Sequence, residues 1–241
     1  MKYMLFCGRK KRLVILIIVA LALLAIDNYV THKSETVTFL DVLLNLFGGV
    51  KYGYKLSEDG IPFQFTVFTI GTSVVVGCSL WEDRIHPIRY GEIKKYCIIK
   101  FFSHMIDLLV YVTVSIITTL WFCFFSGIII NLKISARVIA NVYLKVVPAV
   151  LVLVELYAIA AIYIQPALVV FINQLLFIFI LFVKGHIPLF DQMMLYRVMT
   201  EGKSTNDLVF IMICIIIWFF ETSIGTAVLR KNNLIHGWKQ F

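Results

Sequence analysis

The sequence predicts an all-α integral membrane protein, and its composition is the first reason. Of its 241 residues, 61% are hydrophobic and only 15% are charged, whereas a soluble domain carries about 25% charged residues. The mean hydropathy is +0.92. The second reason is that the apolar residues form separate runs, several of them close to the roughly 20 residues that a helix needs to cross a bilayer. These features exclude a soluble globular protein, a disordered chain, a coiled coil and a disulfide-rich secreted scaffold.

Six membrane-spanning helices are predicted, in a single transmembrane domain over residues 1–241. The first, at residues 13–30, follows the basic stretch Arg9–Arg12. A basic start before an apolar run is also typical of a signal peptide. No cleavage site of the small-x-small type follows this run, and Asp27–Tyr29 continues it directly, so we expect the helix to be retained.

The second and third spans are predicted at residues 62–80 and 108–130. Pro62 suits the first turn of a helix, where its missing N–H has no partner to lose. Each run is long enough for one crossing of the bilayer.

The fourth and fifth spans, residues 146–164 and 166–183, come from one apolar stretch that only Gln165–Pro166 interrupts. As a single helix this stretch would run roughly 57 Å at 1.5 Å per residue, far beyond a hydrocarbon core of about 30 Å. The chain must therefore cross twice and turn tightly at the proline. The sixth span is predicted at residues 208–229, before Arg230–Lys231.

The distribution of Lys and Arg favours both termini in the cytoplasm. With that orientation the inner segments hold 13 of the 22 basic residues and the outer loops hold 9, and cytoplasmic loops of membrane proteins carry the excess. The formal net charge is +8. Because the basic residues flank the apolar runs, we assign them to anionic lipid headgroups and expect no nucleic-acid partner.

An amphipathic helix is predicted in the first outer loop, at residues 38–47. Five apolar residues recur with helical spacing on one face: Phe39, Val42, Leu43, Leu46 and Phe47. Thr38 is the expected N-cap, and Gly48–Gly49 the expected end. The helix is too short to span, so it should lie in the outer interface or dip back into the bundle. It is either a lid packed on helix ends or an outer gate over a substrate path, with Phe39, Leu43 and Phe47 as the gate residues.

The inner loop between the second and third spans mixes both charge signs with large apolar side chains. It contains Trp81, Glu82, Asp83, Arg84, Ile85, Ile88 and Arg89. A loop that only turned round in water would not need the apolar residues. A short helix with an apolar ridge and a mixed-charge flank is suited to docking into the groove of a soluble partner. The alternative is an interfacial helix without a partner. After Gly91, helical spacing predicts a lead-in to the third span.

Four polar residues fall inside the predicted spans: Glu155, Asn173, Gln174 and Glu221. A carboxylate inside a bilayer is costly, so each should face the bundle, a partner or water. They either make hydrogen bonds between helices or form the polar lining of a transport path.

No enzymatic or metal chemistry is predicted in this chain. The sequence contains no GxxxxGK[ST] motif to hold ATP phosphates, and no HExxH or GxSxG motif. The five cysteines are widely spaced and form no CxxC, so we expect neither a disulfide nor a metal site. We assign no catalytic residue and no cofactor to the chain.

Two short patterns and the order of the elements resemble a known family. One pattern is Arg89–Tyr90 with Lys94–Lys95 and Lys100 downstream, and the other is Pro188 followed by Met194 and Arg197 in the last outer loop. The order comprises six helices with both termini inside, a mixed-charge inner helix, a tight inner turn and an outer apolar element before the sixth span. It resembles the membrane half of a type-2 ABC export system, as in the bacterial permeases for export of, or immunity to, lantibiotics and bacteriocins.

The resemblance implies a division of labour between subunits. A separate ABC ATPase subunit, in two copies, would bind and hydrolyse ATP with Mg²⁺. Residues 81–90 would form its first contact, the coupling helix, and the turn at Gln165–Pro166 the second. This chain would pair with itself or with a similar permease in the bacterial cytoplasmic membrane, and would export an amphipathic peptide or another hydrophobic substrate.

Two other classes of function stay open. The chain could be an immunity or sensor protein that binds a peptide or partner without transport. It could also be a secondary transporter, a class that predicts internal repeats and helices broken at the midplane. We find no convincing repeat between residues 1–120 and 121–241, so this class ranks third.

Overall fold

The computed structural model describes residues 38–49, 65–72, 93–160, 163–182, 188–200 and 207–237. Within these ranges the chain is α-helical apart from caps and short turns, and there is no strand. An isolated parallel bridge joins Thr38 to Ile129. The predicted all-α class is confirmed for this part of the chain.

The helices are numbered here in chain order, and each is given with its bounds. They are α1 Phe39–Phe47, α2 at residues 65–72, α3 Ile93–Phe125, α4 Leu132–Asn141, α5 Val147–Ala160, α6 Pro166–Phe182, α7 Pro188–Met193, α8 Leu195–Thr200 and α9 Asp207–Gly237. A π-helical turn, Val142–Val146, joins α4 to α5 without a break.

Three helical stretches in the described residues are long and apolar enough to cross a membrane: Cys97–Phe125, Ile134–Ala160 and Leu208–Val228. Large apolar side chains on α3 and α9 point outward, among them Phe125 and Phe219, which are 70% and 72% exposed. Contiguous exposed apolar surface is rare on soluble monomeric proteins. These helices are typical of a membrane-embedded protein.

The helix α5 lies at the centre of the bundle. It packs against α9 and α3, and α3 also packs against α9. Its side chains are buried nearly all the way round, including Val150, Val152 and Val154. A helix that is apolar on every face is expected in such an interior position.

The helix that ends in α5 is longer than the sequence predicts. The fourth span was expected to begin at residue 146, after an outer loop, but α4 already begins at Leu132. Arg137 and Lys145 weigh against a span in a hydropathy pattern, yet Lys145 is only 1% exposed. Tertiary packing thus keeps one charged residue, Lys145, within a continuous helix.

A nearby proline, Pro148, explains the π-helical turn. Pro148 has no N–H, and its ring would crowd the carbonyl of Leu144 in a regular α-helix. The wider turn at Val142–Val146 comes immediately before this position. Such local expansions inside α-helices are a common way to accommodate an interrupted hydrogen-bond ladder.

The helix α3 begins before the predicted third span and ends before its last residue. The predicted lead-in after Gly91 is continuous with the apolar part, so that a single helix runs from Ile93 to Phe125. Gly127 has φ +70°, and Ile128 N donates to Cys123 O at 2.9 Å. Gly127 thus forms a left-handed C-terminal cap, in which the Ile128 N–H satisfies a carbonyl of the last helical turn.

The predicted turn after the fourth span falls at a helix break. The helix α5 ends at Ala160, α6 begins at Pro166, and the backbone N–H groups of Tyr163 and Ile164 both donate to the carbonyl of Ala160. The helix α9 extends the predicted sixth span to Gly237. The predicted first span at residues 13–30 and most of the second lie outside the described residues.

Candidate functional site

Three helices that pack together inside the bundle each contribute one buried or half-buried polar side chain. His104 comes from α3, Glu155 from α5 and Glu221 from α9. The Nδ1 atom of His104 lies 2.7 Å from Oε1 of Glu155. Glu221 lies close enough to Glu155 for the two carboxylates to interact electrostatically. We call these three residues the polar cluster.

The polar cluster is deeply buried and only partly satisfied. His104 is 4% exposed and Glu221 is 6% exposed, while the side chain of Glu155 is 13% exposed. Nε2 of His104 and both carboxylate oxygens of Glu221 find no hydrogen-bond partner among the described residues. Buried polar atoms are nearly always paired, so a cluster with three orphaned atoms is a candidate functional site.

The helical repeat places an aromatic pair beside the polar cluster. Phe101 precedes His104 by three residues on α3, and Trp218 precedes Glu221 by three residues on α9, so each ring shares a face with its polar neighbour. The two rings meet edge to face, with an interplanar angle of 70°. They bring α3 and α9 into contact one turn away from His104 and Glu221.

Two further contacts join α9 to its neighbours near the polar cluster. The side chain of Cys97 is hydrogen-bonded to that of Thr226, and a Cβ added to Gly225 would come 3.5 Å from Ile159. This is an ordinary van der Waals distance, so α9 packs against α5 at this level.

These contacts give the relative directions of the three long helices. Contacts of α3 with α9 run from Cys97 and Thr226 to Phe101 and Trp218, so these two helices are antiparallel. Two contacts join α3 to the helix that ends in α5: the His104–Glu155 pair, and the hydroxyl groups of Thr113 and Tyr143, which lie 2.7 Å apart. The later residue on α3 contacts the earlier residue on the other helix, so the two helices are antiparallel. Accordingly α5 and α9 are parallel.

The four residues predicted to line a path fall in two places. Glu155 and Glu221 come together in the polar cluster. Asn173 and Gln174 lie on α6, where Nε2 of Gln174 donates to Oγ1 of Thr69 on α2 at 3.2 Å. Asn173 is 2% exposed. Asn173 and Gln174 thus lie on a fourth helix, and the polar cluster is supplied by the other three.

His104 is the member of the polar cluster that sequence reasoning missed. It precedes the predicted third span at residues 108–130, so its depth was not recognised. Since α3 starts at Ile93, His104 lies well inside the helix. A histidine with Phe101 one turn before it, next to a long apolar run, was the available signal.

The predicted outer helix is present, and its predicted caps are confirmed. Oγ1 of Thr38 accepts from Asp41 N, and the Asp41 carboxylate accepts from Thr38 N at 2.9 Å, which completes a capping box. The helix ends at Gly48, followed by Gly49 with φ +64°. A glycine in this conformation carries no Cβ penalty.

Of the two placements expected for α1, the structure shows the one inside the bundle. Phe39, Leu43 and Phe47, the predicted gate residues, are fully buried. The helix α1 packs against α3, α4 and α8, and Phe39 N donates to Ile129 O at 3.0 Å. The ring of Phe47 lies 4.9 Å from that of Phe68 on α2.

A buried ion pair joins the two short helices in the predicted outer apolar element. Nη1 of Arg197 on α8 donates to Oδ1 of Asp191 on α7 at 2.9 Å. Arg197 is 4% exposed, and the pair neutralises its charge inside the bundle. Met193 and Met194 are buried beside the pair.

The predicted coupling residues Trp81, Glu82, Asp83, Arg84, Ile85, Ile88 and Arg89 lie outside the described residues. Gln165, the predicted second contact, is exposed at the break between α5 and α6. Its position before Pro166 leaves the side chain available at the end of the bundle.

The described residues contain no group of three His, Cys, Asp or Glu arranged to hold a metal ion, and Cys97, Cys123 and Cys214 are free thiols. Comparison with protein families, curated proteins and solved structures finds no significant match.

Proposed function

We propose that the chain is the membrane-spanning permease subunit of an ATP-driven exporter. It moves an amphipathic peptide or another hydrophobic substrate out of the cell or membrane, and a separate ATPase subunit supplies the energy. The observation that supports this proposal is the relative direction of α3, α5 and α9. In the proposed order of crossings the fourth and sixth spans run parallel, and both run opposite to the third, as these three helices do.

The division of labour follows from the sequence and from the exposed turn. The chain has no motif that cradles ATP phosphates, so ATP and Mg²⁺ are bound by two copies of the partner ATPase. The mixed-charge segment at 81–90 and the exposed Gln165 are its contacts. In this proposal both lie on the cytoplasmic side of a bacterial cytoplasmic membrane, which the protein crosses six times.

The proposed permease works as a pair, with a second copy of this chain or with a similar chain. One six-helix unit supplies half of a path. The exposed apolar faces of α3 and α9 support this arrangement, since they are large enough to serve both lipid and a second permease subunit. The polar cluster and the Asn173–Gln174 pair supply buried polar groups for the path.

Co-purification tests the proposal. The tagged chain is extracted from its native membrane in a mild detergent, and the eluate is labelled with a photoreactive ATP analogue. We expect a labelled soluble-type subunit of the ABC ATPase class, in a 1:1 ratio with the permease. An unrelated tagged membrane protein is the control. A permease preparation that contains no nucleotide-binding subunit would contradict the proposal.

A second candidate function is a proton-coupled secondary transporter, and the polar cluster is the observation that favours it. Chains of His, Asp and Glu inside membrane bundles are typical of proton-driven transporters. Such a protein would act without an ATPase. Its activity in sealed vesicles would stop with a protonophore and would not respond to ATP, whereas the proposed exporter requires ATP. A peptide-binding immunity protein would show neither dependence.

A further inference from the structure

We propose that the polar cluster is a proton-binding site inside the membrane domain, in which the Glu221 carboxyl group holds one proton beside the His104–Glu155 pair. This inference goes beyond the transport function and does not depend on it. It concerns the ligand that the cluster itself holds, whether the chain works with an ATPase or without one.

The burial of Glu221 is the first argument. Glu221 is only 6% exposed to solvent. Neither of its carboxylate oxygens accepts a hydrogen bond from any described residue. An ionised carboxylate in an apolar interior needs a cation or several donors to replace its lost hydration. With neither in place, the neutral acid is the favoured form.

The charge of the whole cluster is the second argument. Fully ionised, two carboxylates and one imidazolium carry a net charge of −1. One additional proton makes the cluster neutral, which a low-dielectric interior strongly favours. The two carboxylates also act on each other, and a pair of close carboxylates tends to retain one proton.

The difference between the two glutamates assigns the proton to Glu221. Oε1 of Glu155 already has His104 Nδ1 as its partner at 2.7 Å. Glu221 has no such partner. Glu155 is also the more exposed of the two, so it is the edge through which the cluster can exchange protons with its surroundings.

The neighbouring charged and titratable groups do not remove the need for this proton. On the elements packed around the cluster they include Cys97, Lys100 and Asp107 on α3, Lys145 on the π-helical turn, Tyr157 on α5 and Cys214 on α9. Cys97 lies near Glu155, and Cys214 lies near Glu221. None of these groups makes a hydrogen bond to the Glu221 carboxyl group.

Infrared spectroscopy of the full chain in lipid nanodiscs tests the inference. A protonated carboxyl group in an apolar site has a C=O stretch that is separate from the amide and carboxylate bands. We expect this band at neutral pH, a shift of the band when glutamate is labelled with ¹³C at the side-chain carboxyl, and loss of the band at strongly alkaline pH. The labelled parent protein gives this result without any substitution.

Substitutions then assign the band. Glu221→Gln keeps the shape of the side chain and should abolish the band, whereas Asp41→Asn, which changes an exposed carboxylate on α1, should leave it intact. Glu155→Gln should shift the band without removing it. Absence of the band in the labelled parent at neutral pH, or its survival in Glu221→Gln, would overturn the inference. Neither outcome depends on an ATPase partner.

Discussion

The imidazole of His104 and the carboxylate of Glu155 make a 2.7 Å contact between α3 and α5, inside a bundle of otherwise apolar helices. The two residues are 51 positions apart in the sequence. Their side chains are 3% and 13% exposed. This pair fixes the register of two membrane-length helices, and it places both groups within the polar cluster.

A double-mutant cycle should show that this pair stabilises the fold. We expect Glu155→Gln and His104→Phe each to lower the free energy of unfolding, because each leaves a buried polar partner behind. The coupling between the two substitutions should be about 1–2 kcal/mol, near the upper end of values for hydrogen bonds between membrane helices. Unfolding in mixed micelles by increasing SDS measures it. Strictly additive effects would contradict a direct interaction.

Loss of the α1 cap should destabilise the protein measurably. Thr38→Ala removes the hydroxyl that accepts from Asp41 N, and we expect a loss of about 0.5–2 kcal/mol. Ser223→Ala is the matched control, because its exposed hydroxyl only donates to Phe219 O within α9. The control should change the free energy of unfolding by less than the cap substitution does. An equal effect at both sites would show that the cap makes no special contribution.

Two glycines with positive φ separate a backbone effect from a packing effect. At Gly127 an added Cβ meets nothing within 4 Å, so Gly127→Ala should cost only the backbone strain of about 1–2 kcal/mol. At Gly49 the added Cβ would lie 2.6 Å from Met194 Cγ, and overpacking should add about 1–3 kcal/mol.

Thermal unfolding in detergent compares the two glycine variants. The second substitution Met194→Ala should relieve Gly49→Ala but not Gly127→Ala. A larger loss of thermal stability in Gly127→Ala than in Gly49→Ala would contradict the packing of α1 against α8.

The packing of α1 can be tested at Phe47. This ring is fully buried and lies edge to face against Phe68, so Phe47→Ala should lower the free energy of unfolding by about 3–5 kcal/mol. Phe219→Ala, at a ring that is 72% exposed on α9, should have a much smaller effect. Similar losses at both sites would contradict the interior position of α1. Phe47→Asp would place a carboxylate in the same buried site, so we expect it to disrupt folding as well as any gating motion.

The features that sequence reasoning predicted are those with local causes. The apolar spacing of α1, its Thr38 cap and the break before Pro166 each depend on residues a few positions apart. The end of α3 also had a local signal, because Gly127 within an apolar run is suited to a left-handed cap. The prediction extended the span to residue 130 because hydropathy alone does not register that signal.

The remaining features depend on tertiary contacts. The early start of α4 could not be predicted, because Arg137 and Lys145 weigh against a span unless the burial of Lys145 among other helices is known. The pairing of His104 with Glu155 requires the packing of α3 against α5. The separation of Asn173 from Glu221 likewise follows from where α6 packs, for which the sequence carries no local signal.

ATP hydrolysis by the purified complex tests the permease proposal most directly. The tagged chain is reconstituted in nanodiscs together with the subunits that co-purify with it, and phosphate release is measured. We predict that ATPase activity co-purifies with this chain. The activity should fall at least tenfold in the double variant Asp83→Lys/Arg84→Glu, while membrane insertion is unchanged. The paired reversal Lys33→Glu and Glu35→Lys in the first outer loop should have no effect. A complex without hydrolysis, or hydrolysis equal in the parent and the 83/84 variant, would contradict the proposal.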